Sequence, residues 1–272
     1  MTDLRQISDD LVAEQDALDA VVDGRSDEQW MTPTSSEGWT VADQIGHLTY
    51  FDGAAATAIT DPEAFKASIT ELMKAAGSGI DETLHRHLCA ADLLERWRAN
   101  RRHLAEVAST LTEGTRVIWY GPPMSAKSFL TARLMEVWAH GQDVVDALGA
   151  ERPATDRIGH IAQLGFITRA WSYTNRGMDV PAGDVRLALV APSGQTWRFG
   201  ADDAADVVTG PGVDFCLVVT QRRHVDDTTL EVAGDAARDW MEKAQTFAGP
   251  PSYGPPPRGR LVSNDDPAPR GA

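Results

Sequence analysis

The sequence predicts a chain of two parts: a bundle of four principal helices, then a small α+β domain. Up to about residue 150, apolar residues recur three and four positions apart, which is the spacing of one helical face. From about residue 185 the period falls to two, the alternation of a half-buried strand. We therefore expect an α+β multidomain fold with a bundle over 1–150, a small domain over 151–248 and a proline-rich flexible tail over 249–272.

The same periods place the individual elements. In the first part, amphipathic helices are expected over 3–23, 41–59, 91–113 and 125–148, with a shorter helix over 62–76. In the second part, helices are expected over 155–176 and 234–247, and strands over 185–190, 196–199, 205–209 and 215–220. Four amphipathic helices favour an antiparallel bundle.

Composition narrows the classes of function. With 272 residues and 42% hydrophobic content, the chain can bury a core. Its net charge of −15 disfavours binding to nucleic acid or to an anionic membrane surface. We expect no transmembrane helix and no signal peptide, and two widely spaced cysteines are typical of a reducing cytoplasm.

The helix over 125–148 carries a carboxylate and an imidazole four residues apart, Glu136 and His140. Residues at i and i+4 lie on the same helical face, so the pair can hold two corners of a metal site. Such pairs also occur on ordinary solvated helices. Flanking apolar residues such as Val137 and Val144 indicate a central helix, which favours the metal interpretation.

A second histidine, His47, lies within the helix over 41–59. Alone it is as compatible with a packed or surface histidine as with a ligand. Its neighbour Gly46 costs roughly 1 kcal/mol within a helix, which suggests close approach of another segment. Thr40 and Asp43 predict a capping box at the start of this helix.

Together, His47, Glu136 and His140 offer two nitrogens and one oxygen, a set that suits Zn²⁺ or a related divalent ion and leaves a coordination position open. Asp143 could orient His140 or face solvent. Asp52, one turn after His47, and Arg133, one turn before Glu136, are further candidates for the pocket. We also count Asp143, Asp52 and Arg133 as candidate substrate contacts.

Two motifs carry a resemblance to a known family. W-T-V-A-D-Q-I-G-H-L at 39–48 and M-E-V-W-A-H-G-Q-D-V at 135–144 resemble the DinB-like metal-binding bundle, and more closely the mycothiol-dependent maleylpyruvate isomerase family. In that family, one histidine on the second helix and a Glu-x3-His on the fourth bind a divalent metal. The matching residues here are His47, Glu136 and His140.

The resemblance implies a thiol-dependent enzyme from an actinobacterial source. Its metal, most simply Zn²⁺, would hold the sulfur of mycothiol as a thiolate, which adds to an electrophilic small molecule in S-transfer or cis–trans isomerisation. The expected partners are thus a small thiol and an electrophile, with no nucleic acid and no membrane. The alternatives are a non-catalytic bundle that binds or senses a metal or small ligand, and a structural bundle without metal.

The sequence leaves open the role of one basic cluster and the oligomeric state. Arg222 and Arg223 form a basic cluster that could bind a carboxylate of the thiol or the substrate, or could lie at a solvated strand end. The sequence shows no clear heptad seam, so both a monomer and a homodimer are compatible with it.

Overall fold

The structure is a computed structural model that describes residues 3–74 and 83–258. Contacts within the chain divide it into two compact units, Met1–Leu164 and Gly165–Ala272. The first unit is helical apart from a short ribbon, and the second combines a four-stranded sheet with helices. The α+β multidomain fold expected from the two periods is confirmed. None of the described helices is long and apolar enough to cross a membrane.

The helices and strands have the following bounds. The first unit contains Leu4–Val22 (α1), Asp27–Trp30 (α2), Val41–Thr60 (α3), Pro62–Lys74 (α4), Ala90–Ala108 (α5), Arg116–Val117 (β1), Met124–Ser125 (β2) and Ala126–Leu148 (α6). The helix Gly159–Ile167 (α7) spans the boundary between the units. The second unit contains Arg169–Thr174 (α8), Val185–Val190 (β3), Thr196–Phe199 (β4), Asp206–Pro211 (β5), Gly212–Val219 (α9), Glu231–Ala233 (β6) and Asp235–Lys243 (α10).

Four long helices form the core of the first unit, as predicted. Helix α3 packs against α5 and α6, and α1 packs against α6 and α5. Each helix buries an apolar stripe, with Ile45 and Leu48 on α3 and Leu134 and Val137 on α6 at 0% exposure. The predicted capping box at the start of α3 is confirmed: the Asp43 carboxylate accepts a hydrogen bond from the Thr40 backbone amide at 2.8 Å.

Gly46 allows the segment before α5 to approach α3 closely. A Cβ atom at this position would lie 2.0 Å from the Leu84 backbone carbonyl oxygen, a distance that no side chain can occupy. The mid-helix glycine therefore marks a close approach, as its cost to the helix suggested. The contact fixes the backbone next to His47.

The first unit ends later than the expected boundary at residue 150 because the segment that follows returns to α1. Glu14 is 3% exposed, forms an ion pair with Arg152 at 3.1 Å and accepts a hydrogen bond from Arg157 at 3.2 Å. A buried carboxylate without such partners would carry a large desolvation cost. His160 adds a 2.9 Å contact with Asp10. These contacts tie residues 152–160 to the bundle.

The sheet of the second unit has the strand order β4-β3-β5-β6. Strands β3 and β4 form an antiparallel hairpin, β3 and β5 run parallel, and β5 and β6 are antiparallel. Strand β3 buries every second residue, Val185, Leu187 and Leu189, and packs against helix α9.

The predicted strand over 215–220 is wrong. These residues belong to helix α9, in which Phe215, Cys216, Val218 and Val219 are buried. The buried positions i, i+1, i+3 and i+4 are those of a helical face, and the β-branched valines hid that period in the sequence. Arg222 and Arg223 therefore follow a helix.

Two other expectations need correction. The single helix expected over 155–176 is divided into a 3₁₀ turn at Asp156–Ile158 and the helices α7 and α8, separated at Thr168. The tail expected to be flexible from residue 249 makes defined hydrogen bonds over its described part. Ser252 donates to Gln221 at 2.5 Å, and the Arg258 amide donates to Asp227 at 2.9 Å. Residues 259–272 of the tail and 75–76 of the shorter helix expected over 62–76 lie outside the described residues.

Candidate metal centre

Helices α3 and α6 bring His47, Glu136 and His140 together. One possible ligand atom from each side chain lies within 4.8 Å of the others. Glu136 Oε2 is 3.6 Å from His47 Nε2 and 3.2 Å from His140 Nε2, and the two imidazole rings are 4.3 Å apart between centroids. In a tetrahedral zinc site with bonds of about 2.0–2.1 Å, neighbouring ligand atoms are about 3.3 Å apart. The two carboxylate–imidazole distances are compatible with that spacing.

Gln44 fixes the orientation of His140. Its amide NH₂ donates to the hydroxyls of Thr34 at 2.9 Å and Ser36 at 3.1 Å, so its amide oxygen points towards His140. That oxygen is 2.6 Å from His140 Nδ1 and can only accept. The Nδ1 atom is therefore the donor. In the neutral ring, Nε2 is then left as a free acceptor.

The free acceptor on His140 faces another acceptor. The Nε2 lone pair lies 3.2 Å from the carboxylate of Glu136, and two acceptors at this distance repel each other unless a cation or a proton lies between them. A divalent metal satisfies both atoms and also the nearby Nε2 of His47. The donor set therefore fits a metal ion.

Electrostatics keeps His47 and Glu136 in the protonation states that bind metals. Burial, followed by the charge of His140, lowers the pKa of His47 to about 4, so this imidazole is neutral at neutral pH. Burial alone would raise the pKa of Glu136, but in the absence of a metal its interaction with His140 and His47 in their protonated forms holds it well below its usual value. Metal ligands must be deprotonated, and these two residues are.

Solvent and aromatic rings both border the cluster. The side chains of His47, Glu136 and His140 keep 18%, 25% and 13% of their surface exposed, so a small molecule can reach them. Trp39 stacks on His140 with centroids 6.0 Å apart, and Phe51 lies 4.5 Å from His47. The cluster thus has an open side and an apolar flank.

Asp52 and Arg133 lie together on the same two helices, one turn away from the cluster. Arg133 donates to Asp52 at 2.9 Å. Arg133 is 2% exposed and Asp52 is 0% exposed. Asp52 also accepts from Gln15 at 2.9 Å and from the Trp97 indole at 3.2 Å. Both side chains are almost fully buried, and Arg133 Nε has no hydrogen-bond partner among the described residues. Substrate binding by Asp52 and Arg133 stays a prediction.

The other candidate substrate residues have different surroundings. Asp143 Oδ2 is 4.0 Å from His140 Nδ1, beyond hydrogen-bond distance, and its other oxygen accepts from Ser35 at 3.1 Å. Gln44, rather than Asp143, therefore orients His140. Arg222 and Arg223 lie in the second unit, where each donates to a nearby backbone carbonyl at 2.7 Å. Substrate binding by Asp143, Arg222 and Arg223 stays a prediction.

The comparisons with known proteins agree with the two sequence motifs. The family described as "Mycothiol maleylpyruvate isomerase N-terminal domain" matches residues 11–145, which include all three residues of the cluster. The chain belongs to the mycothiol-dependent maleylpyruvate isomerase family. The family resemblance inferred from the sequence is confirmed.

Relatives and solved structures extend this result. Uncharacterised proteins from two strains of Mycobacterium tuberculosis are 45% identical to the chain over 251 residues, which is 90% of this chain and 96% of theirs. The crystal structure of a mycothiol-dependent maleylpyruvate isomerase is similar with a TM-score of 0.58 at 18% identity, covering 85% of this chain and 93% of that one. A mutant of that isomerase gives a TM-score of 0.57 with the same identity and coverage. At this identity the structures show that the fold is shared.

Sequence reasoning missed Gln44, Trp39 and Phe51. Gln44 lies three residues before His47 on the same face of α3, a spacing that could have signalled its role. Phe51 contacts His47 four residues away on α3, again a helical spacing, whereas the contact of Trp39 with His140 depends on how the start of α3 meets α6.

Proposed function

We propose that the chain is a metal-dependent enzyme in which a small thiol, mycothiol, attacks an electrophilic small molecule, either in S-transfer or in cis–trans isomerisation. The observation that carries this proposal is the convergence of two imidazoles and one carboxylate on an accessible point between α3 and α6. Three protein ligands with one open position are typical of catalytic rather than structural zinc sites.

His47, Glu136 and His140 would hold the metal, and Zn²⁺ suits their nitrogen and oxygen atoms best. When bound, the ion would supply Lewis acidity that lowers the pKa of a thiol at the open position and so provides a thiolate at neutral pH. Glu136 contributes a negative charge that offsets part of the charge of a dication. Gln44 holds His140 with Nε2 facing the ligand point, and Trp39 shields that ring from water.

The sulfur is proposed to come from an external thiol because neither cysteine of the chain belongs to the cluster. Cys216 is fully buried in the second unit, and burial raises the pKa of its thiol. Cys89 is exposed at the start of α5 and is not one of the three cluster residues. The family and the related solved isomerases, which are named mycothiol-dependent, support mycothiol as the thiol.

The test is turnover of the metal-loaded full-length chain with mycothiol and a panel of electrophiles. We expect conversion of the electrophile, with the thiol consumed in S-transfer and regenerated in isomerisation. Chelation should abolish this activity, and His47→Ala and His140→Ala should lower it by more than about 100-fold, a larger effect than the roughly 10- to 100-fold of an orienting partner. His103 provides a matched control because it is an exposed histidine 3.7 Å from Glu106 on α5. His103→Ala should retain full activity.

Experiments on the same metal-loaded chain distinguish this proposal from a second function, which is binding of a metal or ligand without turnover. If mycothiol raises the melting temperature of the metal-loaded chain but no electrophile is consumed, the bundle is a sensor or carrier. If activity persists in both histidine variants, the cluster is not the active site.

A further inference from the structure

One flank of the cluster is a continuous surface of aromatic rings. It consists of Phe51, Trp119 and Tyr120, which we call the aromatic wall. Phe51 lies 4.5 Å from His47, and Tyr120 and Trp119 lie 5.5 and 6.2 Å from Phe51 between ring centroids. The wall thus leads from a proposed metal ligand outwards along the first unit.

The outer half of the wall is held in place by local structure. Trp119 and Tyr120 lie in the loop that joins β1 to β2, and these paired strands directly precede α6. Trp119 packs face to face on Phe65 at 5.2 Å and edge-on against Phe129 at 5.1 Å, and both of those rings are fully buried. The loop is therefore supported from behind by the core of the bundle.

The wall is accessible from solvent. Tyr120 is 37% exposed, and Phe51 and Trp119 are partly exposed. Aromatic rings at a site rim offer a large apolar contact area and prefer offset-stacked or edge-to-face partners. A flat apolar group next to the cluster would find such partners here.

The charges around the wall disfavour a dicarboxylate. Among the described residues, Arg133 is the cation whose guanidinium contacts a ring of the wall, 5.9 Å from Phe51, but it is buried and paired with Asp52. Glu136 adds a carboxylate at the inner end of the wall, next to His47. A bound dication, Glu136 and a thiolate would together carry no net charge, so the carboxylates of a substrate would need another cation, and the guanidinium next to the wall is already paired with Asp52.

We propose that the electrophile of this site is an uncharged, conjugated carbonyl compound with an aryl or similarly flat apolar group that lies against the aromatic wall. This inference rests on the proposed function and names its substrate class, which differs from a small dicarboxylate such as maleylpyruvate. In the reaction, the thiol sulfur bonds to the β carbon of the alkene. The π electrons move to the α carbon, which takes the thiol proton, so the addition balances without an oxidant or a leaving group.

The experiment compares three electrophiles on the metal-loaded full-length chain: benzylideneacetone, methyl vinyl ketone and maleylpyruvate. For each, kcat/KM is divided by the rate constant of mycothiol alone with the same compound, which removes intrinsic reactivity. The largest ratio is expected for benzylideneacetone. In Tyr120→Ala its ratio should fall by about 3- to 10-fold through KM, the effect of one lost ring contact. Tyr120→Phe keeps the ring and should restore the preference.

Several results would overturn the inference. They are a highest ratio for maleylpyruvate, a benzylideneacetone ratio that Tyr120→Ala leaves unchanged, and a Tyr120→Ala effect on the KM for mycothiol alone. The last result would assign the wall to the thiol.

Binding without turnover separates this inference from the proposed function. Saturation-transfer difference NMR on the metal-loaded chain with benzylideneacetone, without thiol, should saturate the aryl protons in the wild type and much less in Tyr120→Ala. If this signal is present while no electrophile is consumed, the wall binds aryl groups as inferred and the proposed function is wrong. If the signal is absent, the wall does not bind aryl groups.

Discussion

Helices α3 and α6 carry two polar clusters one turn apart, and these clusters differ in how their charges are satisfied. Asp52 and Arg133 form a buried pair in which anion and cation meet at 2.9 Å. His47, Glu136 and His140 instead converge as acceptors around a partly exposed point. Polar residues at adjacent turns of the same helices can therefore stabilise the fold in one case and be available to a ligand in the other. The two clusters differ in whether the carboxylate is neutralised by a cation of the protein itself.

The largest effect on stability is expected at the buried Asp52–Arg133 pair. Replacing Arg133 with Met leaves Asp52 buried without its cation, which should lower the free energy of unfolding by about 3–5 kcal/mol. Removing both charges in Asp52→Leu/Arg133→Leu should be less damaging than the single change. Urea unfolding of the three proteins checks this order. Equal stability of Arg133→Met and the wild type would mean that the pair is not structural.

At the cluster of His47, Glu136 and His140, loss of a charge should instead change the metal affinity and leave the stability almost unchanged. Glu136→Gln keeps the side-chain volume but removes the negative charge, so metal affinity should fall by more than about 100-fold while the metal-free chain unfolds within about 0.5 kcal/mol of the wild type. Competition with a fluorescent chelator measures the affinity. Glu106→Gln, on the exposed surface of α5, is the matched control. A metal affinity unchanged in Glu136→Gln would contradict the assignment.

Gln44 connects His140 to the rest of the fold, so replacing Gln44 should have an intermediate effect on metal affinity. Gln44→Ala removes the acceptor for His140 Nδ1 and should weaken metal binding by about 10- to 100-fold, which is typical of an orienting partner. Isothermal titration of zinc into the metal-free chain measures this change. Gln142→Ala on α6 is the matched control, because the Gln142 amide bonds to the exposed Asp146 at 2.9 Å and to Arg152 at 3.4 Å, away from the cluster. Equal losses in both variants would remove the special role of Gln44.

A third charge cluster, between α1 and α5, gives the smallest effect and serves as a reference. Burial alone would raise the pKa of Asp19, but hydrogen bonds from Arg98 and the charge of Arg101 hold it below the usual 3.8. A carboxylate with a depressed pKa stabilises the fold above its unfolded value, and this stability is lost as the pH falls through the folded value. Asp19→Asn should therefore destabilise the chain by about 1 kcal/mol at pH 7 and by less near pH 3. A difference between the two proteins that does not shrink in acid would contradict this origin.

Much of the bundle could be predicted because helical periodicity is local. The stripe of α1, the capping box of α3 and the Glu-x3-His face of α6 are all set by residues a few positions apart. The strand expected over 215–220 failed because an apolar run rich in valine suits either a buried strand or a buried helix. Packing on the sheet, rather than intrinsic preference, decides between them.

The three residues of the candidate site were predictable, but the side chains that surround and orient them were not. His47, Glu136 and His140 could be named from a helical spacing and a family resemblance. Gln44, the Asp52–Arg133 pair and the aromatic wall arise from the way α3, α6 and the loop between β1 and β2 meet, which depends on contacts far apart in sequence. Asp52 and Arg133 were therefore assigned to the pocket by proximity along their helices, although the fold pairs them with each other.

X-ray absorption spectroscopy at the zinc edge tests the central claim most directly, because it reports the ligands of the ion itself. The account predicts two imidazole nitrogens and a carboxylate oxygen at about 2.0–2.2 Å, and a new sulfur at about 2.3 Å when mycothiol is added. The sulfur should appear without loss of either imidazole. A spectrum without imidazole scattering, or one that mycothiol leaves unchanged, would contradict the account.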